Sequence, residues 1–204
     1  MRLLVFKFVT FSVFLTLLGC SSSPPSNIDN VCSIFRENDD WYDAAVDTYE
    51  EWGVPIHVQM AIIHQESKFR AEAKPERTKL LWVIPWTRPS SAYGYAQVLD
   101  ETWEWYKDKT GNSWADRNEF DDAIDFVGWY GNISHKKLGI SKWDAEKQYL
   151  AYHEGHGGYK RKSYRKKPWL VKVAAKVGRR AAKYRAQYAK CKHNLDSGWS
   201  FWPF

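Results

Sequence analysis

Glu66 lies in the run Val58-Gln59-Met60-Ala61-Ile62-Ile63-His64-Gln65-Glu66-Ser67-Lys68-Phe69, four residues after Ile62 and three after Ile63. On a helix, that spacing puts its carboxyl on the row of the isoleucines, at the edge of the buried stripe and off the solvated face. Burial favours the protonated form. An acid kept protonated near neutral pH can give its proton to a leaving oxygen, which is what breaking a glycosidic bond requires. The bland reading of the same residue is a buried acid satisfied by a hydrogen bond or an ion pair. A second group, His153-Glu154-Gly155-His156, invites a zinc reading. Paired metal-binding histidines on one helix stand four apart with Glu beside the first. These stand three apart and straddle a helix-stopping glycine, so neither a metal nor another cofactor is expected. Glu154 reads as an exposed acid near a helix end and not as a second catalytic carboxylate. The twelve tryptophans and twelve tyrosines suit sugar recognition, because a pyranose ring packs its C–H face on aromatic planes. Trp82, Trp86, Tyr93 and Tyr95 are the candidates for such contacts, with core packing as the alternative.

The elements that must hold Glu66 are helical. Trp41, Ala45, Thr48 and Trp52 repeat at helical spacing over 40–51, Gly53 breaks that helix, and Pro55 suits the first turn of the next, which carries Glu66 near its C-terminal end. Residues 71–91 contain Pro75, Pro85 and Pro89 and no sustained period, so they read as a long loop, a lid or a cleft wall. Further helices are expected over 100–110 and 120–137, and from Ser141, as N-cap with Asp144 at N3, to Gly155. A last helix starts near Pro168, where Leu170, Ala174, Val177, Ala181, Tyr184, Tyr188 and Cys191 repeat four-three-four-three. No strand alternation or hairpin signal competes, so the chain reads as mainly α.

At 204 residues the chain supports one core, and the net charge of +6 is unevenly spread. Residues 160–192 hold fourteen Lys or Arg and no acid, against 16 basic and 24 acidic residues elsewhere. In an exported chain such a run meets anionic wall polymer or lipid headgroups, or forms a solvated helix face; nucleic acid is not the expected partner. Export is indicated by Met1-Arg2, Lys7 and the apolar run 8–18. Residues 1–19 thus read as a signal peptide, and Leu17-Leu18-Gly19-Cys20 resembles the lipobox of bacterial lipoproteins, which implies cleavage before a lipidated Cys20. An uncleaved anchor or a plain signal peptide is the alternative. Residues 20–35 then form the lipidated cysteine and its tether, 36–195 the domain, and 196–204 an aromatic tail. In an oxidising compartment Cys32 and Cys191 are expected to pair and staple the two ends of the domain, a link contributing roughly 4 to 5 kcal/mol in the loop-entropy model.

Three stretches stand in informative order: Glu66-Ser67, then Ala92-Tyr93-Gly94-Tyr95-Ala96-Gln97, then Ala151-Tyr152-His153-Glu154-Gly155. Together they resemble the signatures of the SLT-type lytic murein transglycosylases, over roughly residues 52–160. The resemblance implies a lysozyme-like, goose-type helical domain with the long loop lining its groove. It implies Glu66 as sole catalytic acid and base, Gln97 bonding substrate, Gly94 letting backbone approach the sugar, Tyr152 hydrogen-bonding Glu66, and Ser67 meeting an N-acetyl group or a water. Tyr95 and Ala96 replace the family's Leu and Met, and His153 replaces Asn. Tyr95 then stacks on a sugar or fills a wall, and His153 contacts substrate or caps its helix. The implied substrate is peptidoglycan glycan and the implied place is the cell envelope, lipid-anchored on the periplasmic face of the outer membrane. A goose-type hydrolase, a non-catalytic wall-binding lipoprotein and a cationic envelope scaffold are the competing readings.

Overall fold

The structure, a computed structural model, describes residues 23–77, 79–80, 84–85 and 89–197. The signal peptide, Cys20, Trp82, Trp86 and residues 198–204 of the aromatic tail lie outside the described residues. Among those described, no helix is long and apolar enough to cross a membrane.

Gly53 adopts the left-handed conformation, φ 68°, that closes α2 (Asp39–Trp52), and Pro55 is the N-cap of α3 (Ile56–Ser67), one position before the first turn. α3 is the centre of the molecule. Residues 56–64 are buried without interruption and so is Ser67, because α2, α5 (Phe120–Leu138), α6 (Ala145–Lys160) and α7 (Pro168–Asp196) pack around it. The expected one-sided stripe is therefore absent: a helix enclosed on every side has no solvated face to distinguish.

α2 and α5 meet at Gly128, where a Cβ would collide with Thr48 and Trp52. Trp41 of α2 stacks on Phe120 at 3.9 Å and on Phe69 at 5.9 Å. α4 (Asp100–Thr110) is tied to this pair through Asp125, whose two oxygens accept from Trp52 Nε1 (2.5 Å) and the Tyr106 hydroxyl (2.6 Å). α7 buries Leu170, Ala174, Val177, Ala181, Tyr184 and Cys191, the stripe read from the sequence apart from Tyr188, which is half-buried.

Several local expectations change. Asp144 is the N-cap of α6 and accepts from Lys147 N at 3.0 Å, while Ser141 Oγ accepts from Trp143 N in the preceding turn. Gly155 does leave helical geometry, φ 69° and ψ 160°, but the helix resumes to Lys160 and is followed by a 3₁₀ turn, Ser163–Lys166. The long loop contains a small antiparallel pair, β1 (Lys79–Leu80) with β2 (Ile84–Pro85). Two residues per strand are too few to show alternation in a sequence.

α1 (Val31–Glu37) was not legible, because seven residues carry too little period. Asn30 caps it by accepting from Cys32 N and Ser33 N, so Cys32 lies in its first turn. The end of the expected tether is also folded onto the body. Ser26 N donates to Glu37 at 2.8 Å, Arg180 pairs with Asp29 at 2.6 Å, and the Tyr184 hydroxyl donates to the Ile28 carbonyl. Cys32 and Cys191 form a disulfide across 159 residues. Replacing both with serine should lower the unfolding free energy by about 2–5 kcal/mol, read as a drop in urea midpoint with an unchanged far-UV spectrum.

Candidate active site

The position of Glu66 follows from the enclosure of α3. It sits in the last turn, half-buried, with its carboxyl surrounded by protein. Desolvation raises its pKa from the ordinary 4.5 to about 7, opposed only in part by a hydrogen bond from Tyr149. The backbone turns sharply just beyond it: Lys68 and Phe69 both have positive φ, 55° and 62°, an unusual pairing for residues with side chains. The turn sends Phe69 back into the core against Trp41 and His64.

Tyr149 is the residue that sequence reasoning missed. The expected partner, Tyr152, lies one turn later on the same face of α6; its buried hydroxyl feels the Glu66 charge, but it donates to the Ala96 carbonyl at 2.6 Å. Burial first, then the neighbouring Glu66, push both phenols well above their ordinary pKa, so both remain hydrogen-bond donors at any physiological pH. The i, i+3 spacing of Tyr149 and Tyr152 was the available signal.

The second motif is a braced loop. Tyr93 and Val98 form an isolated antiparallel bridge. Gly94 N donates to Ala73 O at 3.0 Å and Tyr95 N to Arg117 O at 3.1 Å, and Arg117 Nη1 reaches Val98 O at 2.8 Å. Gln97, at φ 50°, donates its amide nitrogen to Ala73 O (2.8 Å) and Gly94 O (2.9 Å). These amide protons hold the loop. The Tyr152 bond to Ala96 then docks this loop against α6 beside Glu66.

Two sequence expectations, for Gly94 and Ser67, are corrected here, and at Tyr95 the structure takes the packing alternative. Gly94, φ 78°, is required because a Cβ would strike the Arg117 backbone, so the close approach it permits is to Arg117 and not to a sugar. Tyr95 is 2% exposed and packs edge-on against Trp41 and Phe120, which makes it core and removes it from any stacking platform. Ser67 is 1% exposed and returns its hydroxyl proton to Ile63 O, so it cannot meet substrate. Tyr93 is half-exposed, with Lys74 and Arg117 over its ring at 4.8 and 5.3 Å.

In the third motif His153 is exposed, edge-on to Trp169 at 5.3 Å, and lies inside a helix and not at its cap. Glu154 is not the exposed acid expected. Its side chain is 3% exposed, and although burial works to raise its pKa, hydrogen bonds from Lys167 (2.7 Å) and Ser163 outweigh that and hold it low. It pins the 3₁₀ turn and α7 to α6. His156 is occupied by Ser134 Oγ at 3.0 Å and stacks on Tyr130 at 4.4 Å.

A separate cavity of about 1450 Å³ lies between α2, α5 and residues 70–76, and neither Glu66, Tyr149, Tyr152 nor Gln97 borders it. Its carboxylates, among them Asp40, Asp43, Asp47, Glu51, Asp121 and Asp122, far outnumber Arg70 and Lys74. That field repels an anionic glycan.

Among known proteins, no curated protein and no solved structure gives a significant match to this chain. A family does: the transglycosylase SLT domain matches residues 8–191. The mainly helical, lysozyme-like architecture agrees with that match, and the chain belongs to the transglycosylase SLT family of peptidoglycan-acting proteins.

Proposed function

We propose that this protein is a lytic transglycosylase that cleaves the β-1,4 bond between N-acetylmuramic acid and N-acetylglucosamine and leaves 1,6-anhydro-muramic ends. The observation that carries the reading is Glu66, a carboxyl raised to about 7 by desolvation and held by a neutral phenol, with no second free carboxylate beside it among the described residues. Protonated Glu66 gives its proton to the glycosidic oxygen as the C1–O bond breaks, and the N-acetyl carbonyl of the muramic residue supplies the electrons to C1. Glu66, now a carboxylate, takes the proton of the C6 hydroxyl, whose oxygen closes on C1 and releases the N-acetyl group. No water is consumed.

Tyr149 steadies the carboxylate stage, since its hydrogen bond lowers the Glu66 pKa. Tyr152 positions the Ala96–Gln97 loop, and Gln97 offers its Oε1 to the glycan. His153, exposed and 6.4 Å from the Tyr149 ring, is the group we assign to contact glycan from the solvent side. Attachment through lipidated Cys20 would keep the enzyme at a membrane facing its wall substrate.

Mass analysis of muropeptides released from purified sacculi decides the reaction. Wild-type protein should yield anhydro-muramic products and Glu66→Gln none; reducing ends would mean a goose-type hydrolase, and no release by either protein would mean a wall-binding role. The kcat/KM profile should fall on the alkaline side with a midpoint near pH 7. Tyr149→Phe removes the interaction that lowers the Glu66 pKa, so its alkaline limb should move upward while kcat falls. Stability should carry the same signature. An acid whose folded pKa is raised costs nothing below about pH 4.5 and progressively more as pH rises to about 7, so Glu66→Gln should gain on the order of 3 kcal/mol at pH 8 and little at pH 4, measured by urea unfolding at both.

A further inference from the structure

On the opposite side of α3 from Glu66 lies a groove of about 600 Å³, within the size range of small-ligand sites. His57 precedes Glu66 by nine residues, which at 100° per residue sets the two on opposite faces and about 13 Å apart along the axis. The groove runs between the first turn of α6 and the middle of α7, with Ala182 and Ala186 along its α7 side.

Of its polar groups, Asp144 is occupied as the α6 cap and with Lys147, while His57, Arg185 and Glu146 make no hydrogen bond or ion pair among the described residues. His57 is 7% exposed, lines the groove and makes no hydrogen bond among the described residues. Burial first, and Arg185 second, keep its ring neutral, with a pKa near 4, so it offers one donor and one acceptor. Trp143 is 55% exposed, with the His57 ring 5.4 Å away and the Arg185 guanidinium 5.4 Å from its centroid. Neither Arg185 nor Glu146, which also lines the groove, has an ion-pair partner among the described residues. A solvent-exposed indole, small apolar side chains and a balanced set of donors and acceptors describe a ligand with one apolar face, several hydroxyl or amide groups and no strong charge.

We infer that this groove is a second saccharide site, taking an N-acetylated hexosamine ring of a glycan strand remote from the one at Glu66, with Trp143 as its platform and His57, Arg185 and Glu146 bonding its polar rim. The choice of glycan rests on the proposed peptidoglycan function. A cell-wall polymer held at two faces of one small domain would dissociate far more slowly than one held at the catalytic groove alone.

The test uses the full chain in detergent, carrying Glu66→Gln so that substrate is not consumed, pelleted with purified sacculi. Adding Trp143→Ala or Arg185→Ala should weaken sacculus binding ~10-fold, the loss of the aromatic platform or of its cation partner, and soluble chitotetraose should displace the Glu66→Gln protein from sacculi and bind it at two sites by calorimetry, but the Trp143→Ala form at one. In the Glu66-intact enzyme, Trp143→Ala should leave turnover of short soluble glycan unchanged, with Trp143→Phe retaining most sacculus binding. Equal pelleting with and without Trp143 overturns the inference, as does Trp143-dependent binding that chitotetraose cannot displace, which would point to stem peptide. Because pelleting is read on inactive protein, an absence of muropeptide release by wild type would defeat the proposed activity and leave this result standing.

Discussion

Everything at this site depends on a carboxyl group placed at the end of a helix that has no solvated side. α3 is wrapped by α2, α5, α6 and α7, and that enclosure desolvates Glu66. Removing water from a charge is expensive, and the chain accepts that expense at one end of its most buried helix. The neutral donor from Tyr149 is the right kind of partner. A lysine or arginine in its place would pull the pKa down and leave a permanent carboxylate, useless as an acid. Glu154 shows that alternative in the same molecule: burial is overcome by Lys167 and Ser163, and the group becomes a structural pin.

Asp125 supplies the other contrast. It is also a buried acid with a raised pKa, caused first by desolvation. Both its oxygens accept hydrogen bonds, from Trp52 and Tyr106, and these serve to hold α2, α4 and α5 together. Burial alone therefore does not make a catalytic acid. In the proposed mechanism the distinction lies in whether the carboxyl has capacity left for a substrate, and among the described residues Glu66 accepts only from Tyr149. Glu66 has the positive-φ turn at Lys68 and Phe69 beside it and the braced Tyr93–Val98 loop opposite.

Rigid bracing around a single acid suits the proposed mechanism, in which one group first gives and then takes a proton. The loop is held by backbone donors, by both amide protons of Gln97 and by Arg117, and Tyr152 ties it to the helix that carries Tyr149. The disulfide and the docking of residues 28–31 on α7 fix the outermost helices in the same way. The basic residues of α7 are left facing outward, apart from pairs such as Arg180 with Asp29.

The long elements were legible because each carries its own local chemistry. Gly53 and Pro55 mark a helix boundary wherever they fall, and the four-three repeat from Leu170 to Cys191 buries one face of any helix that bears it. Glu66 was legible as an unusual acid for the same reason, since its neighbours along the chain are isoleucines. The roles of Gly94, Tyr95, Ser67 and Glu154 were not, because each is set by a contact distant in sequence or by a competing local acceptor. Arg117 arrives over Gly94, Trp41 and Phe120 close on Tyr95, Ile63 O takes the Ser67 proton, and Lys167 reaches Glu154. Tyr149 rather than Tyr152 bonds the acid because the packing of α6 on α3 settles which of two phenols on one face points at Glu66, and helical period alone treats them alike. The sequence by itself determined that a carboxyl would be driven out of water; only the tertiary structure decided which side chains would meet it there, since those contacts come from helices far apart along the chain.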